Sequence, residues 1–271
     1  MAEPGQKPGS TSGTALVIAL LACAAIVFGV KSFGADEEPR DDTPAANTSR
    51  APVKLAELTA STTDTTIKKA PRDKGDQAPS GAVVHPRKVV PLYDSPGGTP
   101  FAKVGPQQFG DTWLPVVEEQ GAWVRVLLPS KPNGSTGWMR TAKLDRAHSR
   151  FLIRVHLGSR TVELYEDDTL TDTWTVAVGA SDTPTPTGRT FVLGQLVDDQ
   201  QSFSPVILPL GTHSETLDSY GGGAGTVAFH GWTDPSVFGQ AISHGCIRVP
   251  DDALAALRAV PIGTAVLIDD A

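Results

Sequence analysis

Glycine and proline punctuate this chain so closely that long regular elements have little room. Of 271 residues, 27 are glycine and 22 are proline. From residue 83 onward the runs between them are short, and many alternate apolar with polar side chains, as in Trp123-Val124-Arg125-Val126-Leu127. Successive side chains of a strand face opposite sides, so period-two runs bounded by turn residues argue β structure. Asp94-Ser95-Pro96-Gly97-Gly98, Glu119-Gln120-Gly121 and Pro132-Asn133-Gly134-Ser135 supply the turns. Close spacing of such runs predicts a small all-β barrel over residues 83–147.

Residues 149–271 carry the same texture with one interruption. Strands are expected over 150–157, 161–166 and 174–179, the first two joined at Gly158-Ser159 into an antiparallel pair. A loop braced by Pro184 and Pro186 follows over 179–188, and Thr226-Val227-Ala228-Phe229 reads as a strand ending on His230. Asp251-Asp252 then opens a short helix through Leu254 and Leu257, acidic residues suiting a helix N-terminus. Pro261-Ile262-Gly263 ends it, and 264–268 is a closing strand. The glycine run at 221–225 is not followed by Lys-Ser/Thr or a helical pattern, which argues against a phosphate cradle.

The other end of the chain differs in kind. Residues 1–13 are small and polar and are expected on the cytoplasmic side; 14–30 carry no charge, and Lys31 closes the run. Seventeen apolar-rich residues reach the lower length for a membrane span, so 14–33 is expected to be a transmembrane anchor. A cleaved signal peptide is the rival, and Leu20-Leu21-Ala22-Cys23 faintly resembles a lipoprotein box, although apolar residues continue past Cys23. Residues 34–82 hold many Asp, Glu, Pro, Thr, Ser and Lys and few large apolar side chains. Too little burial is available there to offset the ordering entropy, which predicts a disordered linker.

Charge narrows the partners. The net charge is −7, but residues 149–271 hold six arginines, no lysine and fifteen carboxylates. Residues 83–148 hold eight basic against five acidic side chains. A nucleic-acid partner would call for a basic face, so this class is disfavoured. Two cysteines, one of them inside the apolar run, leave no disulfide framework. No Cys/His cluster has zinc spacing, and no metal or cofactor is expected.

The chemistry concentrates in Ser243-His244-Gly245-Cys246-Ile247-Arg248 and, upstream, Phe229-His230-Gly231. A thiol attacks as its thiolate, and a base is needed to take its proton. His230 supplies that base if its strand end lies beside the Cys246 loop. Gly245 permits a tight turn, through which amides near Cys246 would face an oxyanion. A buried structural cysteine is the bland alternative, since free cysteine is often buried. Ser-His-Gly before a core thiol and arginine after it have no packing reason.

The stretch from His230-Gly231-Trp232 through Pro235 and Gly239 to Ser243-His244-Gly245-Cys246-Ile247-Arg248 resembles the signature of the L,D-transpeptidase (YkuD-type) catalytic domain. Thr185-Pro186-Thr187-Gly188 resembles a second hallmark of that family. Trp232 departs from the smaller polar residue common at its position, and Val249 from methionine or leucine. The resemblance implies peptidoglycan stem peptides as substrates, with Cys246 as nucleophile and His230 as acid and base. It implies that the Gly231 carbonyl orients His230 and that the Gly245 and Cys246 amides bind the oxyanion. His244 would shape the site, bind substrate or move a second proton. Ser243, Trp232 and Tyr220 would contact substrate; Tyr220 and His213 line a lid or are ordinary loop residues. Arg248 would either hold a substrate carboxylate or brace the cysteine loop through backbone carbonyls. The implied reaction joins third residues of two stems with release of terminal D-alanine, and carbapenem-type inhibitors would acylate Cys246.

Leu92-Tyr93-Asp94, Gly121-Ala122-Trp123 and Thr136-Gly137-Trp138 together resemble bacterial SH3-like domains, with at least two of Trp113, Trp123 and Trp138 expected in the barrel core. The chain is thus expected to be mainly β: a transmembrane helix, a disordered linker, a small SH3-like β barrel, and a β-rich catalytic domain over 149–271 with a short helix after the cysteine motif. It would stand at the outer face of a cell envelope. A wall cysteine peptidase or L,D-carboxypeptidase is one rival, and a non-catalytic wall-binding protein is another. Papain-like hydrolases place Cys before His in the chain, the reverse of the order here.

Overall fold

A computed structural model describes residues 52–199, 201–220 and 223–271. The expected membrane segment at 14–33 lies outside them. Among the described residues no helix is long and apolar enough to cross a membrane.

The alternation in the sequence becomes strands wherever one face finds a core. β1 (Thr59–Ala60), β2 (Ala82–Pro86), β3 (Val90–Tyr93) and β4 (Pro100–Val104) are followed by β5 (Leu114–Gln120), β6 (Trp123–Leu127), β7 (Thr136–Arg140) and β8 (Leu144–His148). They form one sheet in the order β1-β4-β3-β7-β6-β5-β2-β8. Its core gathers Val84, Leu92, Leu114, Val126, Leu128 and Met139. Of the three tryptophans only Trp138 is buried. Trp113 stacks against His85, and Trp123 meets Tyr93 edge-on with Arg140 over its ring.

The second half holds β9 (Phe151–His156), β10 (Thr161–Glu166), β11 (Thr169–Thr175), β12 (Val178–Gly179), β13 (Gly188–Phe191), β14 (Ile207–His213), β15 (Thr226–His230), β16 (Ala241–Ser243) and β17 (Ile247–Arg248). The one α-helix among the described residues, α1 (Asp251–Ala259), and β18 (Ala265–Asp269) complete it. β11-β10-β9-β18-β13 make a five-stranded sheet, β14-β15-β17 a three-stranded one, and β12 pairs with β16. β9 and β10 are antiparallel with Val155 opposite Val162. Helix α1 buries Ala253, Leu254 and Leu257 at helical spacing against a core shared with Phe229, Ile247 and Val266.

Two features correct the predicted domain plan. Residues 52–82 do not stay a linker: β1 pairs with β4, Ile67 and Ala70 join the N-terminal core, and the segment runs on as a strap across both halves. Polar anchors hold it. Asp73, almost fully buried, receives a two-pronged bond from Arg189 of β13 (2.6 and 2.5 Å). Thr63 bonds to Thr226 at the head of β15 (2.5 Å), and His213 Nε2 reaches the Thr63 carbonyl (2.7 Å). The two halves also share a core, since Phe191, the last residue of β13, and Leu193 just beyond it are buried among the N-terminal strands. Burying one side chain of that size contributes about 1.5–3 kcal/mol.

Candidate active site

Strand pairing brings the two halves of the sequence motif together. β15 and β17 run parallel, with Phe229 opposite Ile247 and His230 opposite Arg248. Paired positions of neighbouring strands share a face, as do residues two apart on one strand. His230 and Arg248 therefore address the same side of this small sheet, and Cys246 stands immediately before β17, its thiol bonded to the Ala228 backbone of β15. Val249 N–H donates to the His230 carbonyl (2.9 Å), which fixes the strand end.

His230 is buried, and its Nδ1 donates to the Gly231 carbonyl at 2.7 Å. A carbonyl can only accept, so the neutral ring carries its proton on Nδ1 and presents Nε2 as a free base. Gly231 is held in turn: its N–H donates to Ser204 Oγ (2.7 Å), and Ser204 donates to the Val206 carbonyl (2.6 Å). Phe203 packs edge-on against the imidazole at 4.9 Å. Burial pulls the His230 pKa down to about 4, with the Arg248 charge adding to the effect against the Gly231 bond. The ring is neutral at pH 7.

Cys246 is half-buried and unpaired. Burial pushes its thiol up, opposed by the Ala228 backbone hydrogen bond and the positive charge of Arg248. At rest the pair is thus thiol and neutral imidazole, rather than a preformed thiolate.

The loop before the cysteine is tightly tied. Gly245 has φ of 111°, a region where a side chain would strain the backbone. Its N–H donates to Ser243 Oγ (3.1 Å), and Ser243 Oγ donates to the Cys246 carbonyl (2.5 Å). This corrects two expectations. The Gly245 amide, predicted at the oxyanion, is already committed, and Ser243, predicted to contact substrate, is buried as an internal brace. The proline-braced loop adds two more ties: Thr183 Oγ1 donates to the Ser243 carbonyl (2.9 Å) and Thr185 Oγ1 to the Gly245 carbonyl (2.8 Å). Gly179 lets that loop approach, because a Cβ there would lie 2.4 Å from the Thr183 carbonyl oxygen.

The remaining residues divide by what they touch. His244 is exposed and stacks on Tyr220 (5.0 Å between rings), with Nδ1 3.4 Å from the tyrosine hydroxyl. His213 sits in the seam with the strap and has no lid role. Trp232 lies over the Arg248 guanidinium, Cζ standing 3.6 Å from the ring centroid, and also contacts Phe203 and His230. The Arg248 main chain is bonded both ways to Ala177 (2.8 and 2.9 Å). Its side chain does not brace the loop: Nε is buried without a hydrogen-bond partner among the described residues.

Phe203, Ser204 and Thr183 escaped the sequence reading, as did the bond that Thr185 makes. Only the Thr185-Pro186 context marked any of them, since hydroxyl groups that bond to backbone leave no pattern of their own.

Residues 150–268 match the family model of the L,D-transpeptidase catalytic domain, YkuD. YkuD of Bacillus licheniformis, an L,D-transpeptidase by name, is 35% identical over 119 residues, which cover 44% of this chain and 65% of that protein. YkuD of Bacillus subtilis is 30% identical over 118 residues, covering 43% and 65%. The chain therefore spans less than two thirds of the length of either relative. Among solved structures, an L,D-transpeptidase from Mycobacterium smegmatis aligns 99% of its chain with 58% of this one, at 13% identity and a TM-score of 0.37.

Proposed function

We propose that the L,D-transpeptidase catalytic domain at residues 150–268 transfers peptide acyl groups within peptidoglycan, with Cys246 as nucleophile. The bond from His230 Nδ1 to the Gly231 carbonyl carries this reading, because it leaves Nε2 as an unprotonated base at the end of β15, beside the strand that Cys246 leads into. Cys246 Sγ attacks a stem-peptide carbonyl while His230 Nε2 takes the thiol proton. The C–N bond breaks, the proton passes from Nε2 to the leaving amine, and D-alanine departs from a thioester. A stem amine then attacks that thioester, returns a proton to sulfur through His230, and closes a cross-link between third residues. With the Gly245 amide engaged by Ser243, the Cys246 N–H is the remaining oxyanion donor of the loop.

The uncharged run at 14–30 anchors the chain at the outer face of the envelope, and the SH3-like N-terminal half attaches it to the wall. Carbapenem-type inhibitors acylate Cys246 in this scheme. The test is mass spectrometry of products from a defined tetrapeptide stem, with and without an acceptor amine. Cross-linked product with loss of D-alanine is expected. Hydrolysed stem alone, with acceptor in excess, would replace the transferase by an L,D-carboxypeptidase.

A further inference from the structure

The seam between the two halves encloses a cavity of about 480 Å³ that the acyl-transfer chemistry does not use. That volume suits a small-molecule ligand, and apolar and aromatic walls with a few polar groups are the usual makeup of such sites. Phe109 and Trp113 are its rings. Phe109 has φ of 52°, the left-handed region that bulky side chains rarely adopt, and yet it is 42% exposed. Its backbone lies so close to the catalytic half that a Cβ on Gly194 would meet the Phe109 Cβ at 2.5 Å. Trp113 is pressed likewise against Gly263, where a Cβ would come within 2.9 Å of it. His85 stacks on the Trp113 ring (5.3 Å between centroids) and is itself fixed, its Nδ1 donating to the Thr112 carbonyl at 2.9 Å. A strained backbone that holds an apolar ring in water gains nothing from packing and points to a ligand for the ring.

Polar groups stand among the rings. The Asp111 carboxylate takes only a long bond from Gln107 (3.5 Å). The Gln195 side-chain nitrogen donates to the Arg258 carbonyl (2.8 Å), which leaves its oxygen to accept. His148 adds an exposed imidazole. An acyl chain would leave these groups unused, and the carboxylate would repel an anionic head group. A pyranose fits both parts: its C–H face lies on an aromatic ring, and its hydroxyls donate to carboxylate and amide oxygens. We infer that the cavity binds a neutral pyranose unit of a glycan strand, contacted by Phe109 and Trp113 from the N-terminal half and by Gln195 and Ile262 from the catalytic half. That this glycan is the one in peptidoglycan rests on the function proposed above; the chemistry of the cavity asks only for a pyranose. Because both halves line the cavity, the sugar ties them together and holds the catalytic domain on the polymer whose stems it would join.

The experiment titrates the full chain with tetra-N-acetylchitotetraose, a peptide-free pyranose oligomer, in a calorimeter. Saturable binding is expected, with a rise in the thermal midpoint, since a ligand of the folded state alone stabilises it. Phe109→Asn removes the ring and substitutes a residue that tolerates the left-handed region, so affinity should fall about 10-fold with the fold retained. Trp113→Phe keeps a ring but loses the indole N–H, and should weaken binding less. On a small soluble stem donor both variants should keep the wild-type kcat/KM, because neither residue belongs to the candidate active site. No binding of the oligomer would overturn the inference. Equal affinity in the wild type and both variants would also overturn it, by placing the sugar elsewhere. Binding of decanoate and not of the oligomer, lost in Phe109→Asn, would make the cavity an acyl-chain pocket and overturn the pyranose assignment. The acyl-transfer reading fails separately: no product from the soluble donor would remove that reading and leave the titration standing.

Discussion

Two arginines, both about nine-tenths buried, separate the strap seam from the candidate active site. Arg189 in the seam donates Nε and Nη2 to both oxygens of Asp73 and Nη1 to the Gln77 carbonyl (3.0 Å). Arg248 in the candidate site has an aromatic ring over it and no acceptor for Nε among the described residues. The same side chain at the same depth is thus closed in one region and open in the other. A buried ion with a carboxylate partner fixes structure, whereas the Arg248 guanidinium meets only a ring face. The same division runs through the histidines: His213 is locked to Thr63, whereas His230 keeps Nε2 free.

The contrast can be attacked from both sides. Cys246→Ala should reduce transfer below detection while leaving the thermal midpoint close to that of the wild type, which calorimetry beside a product assay would show. His230→Gln should slow acylation by about 10²–10⁴-fold. Because the His230 pKa lies near 4, the acid limb of wild-type kcat/KM should fall near pH 4 and not near 6.5; a limb at 6.5 would place His230 in water. In the seam the expected effect is on folding. Asp73→Ala leaves Arg189 buried without a carboxylate and should cost about 3–5 kcal/mol in urea unfolding, with kcat of the folded fraction preserved. Replacing both partners by leucine should cost less than the single change.

The smallest effect concerns His156, on the five-stranded sheet. Partial burial lowers its pKa, but bonds to Asp269 (2.8 Å) and Glu163 (3.3 Å) outweigh that, and the net shift is upward. The folded state therefore holds the proton more tightly than the unfolded chain. Its contribution is complete below the unfolded value of 6.5 and fades as pH rises through the raised folded value. His156→Asn should flatten stability against pH in that window by less than about 1 kcal/mol.

The cysteine motif was legible because its chemistry is local: His-Gly and Ser-His-Gly-Cys each stand contiguous in the sequence. The β9–β10 hairpin and α1 were legible because apolar periodicity and turn residues state them directly. The strap was not. Between residues 52 and 82 only Ile67 and Ala70 enter the core, and the anchors are Thr63 and Asp73, whose partners Thr226 and Arg189 lie far along the chain. Hydrophobic patterning cannot see a segment ordered by polar bonds to distant residues. The Gly245 amide failed for a related reason, since a serine two residues earlier competes for it.

The place of Phe191 and Leu193 in the N-terminal core bears on how this protein comes to exist. A ribosome delivers the eight N-terminal strands well before those two side chains. The first sheet must therefore wait, incompletely filled, until part of the catalytic half has been made. Contacts of such long sequence separation close late and slow folding. The two halves are then not exchangeable cassettes. A chimera that keeps the catalytic half but replaces its N-terminal neighbour would expose Phe191 and Leu193 to water, and would arrive with a greasy flank where this chain has an interior.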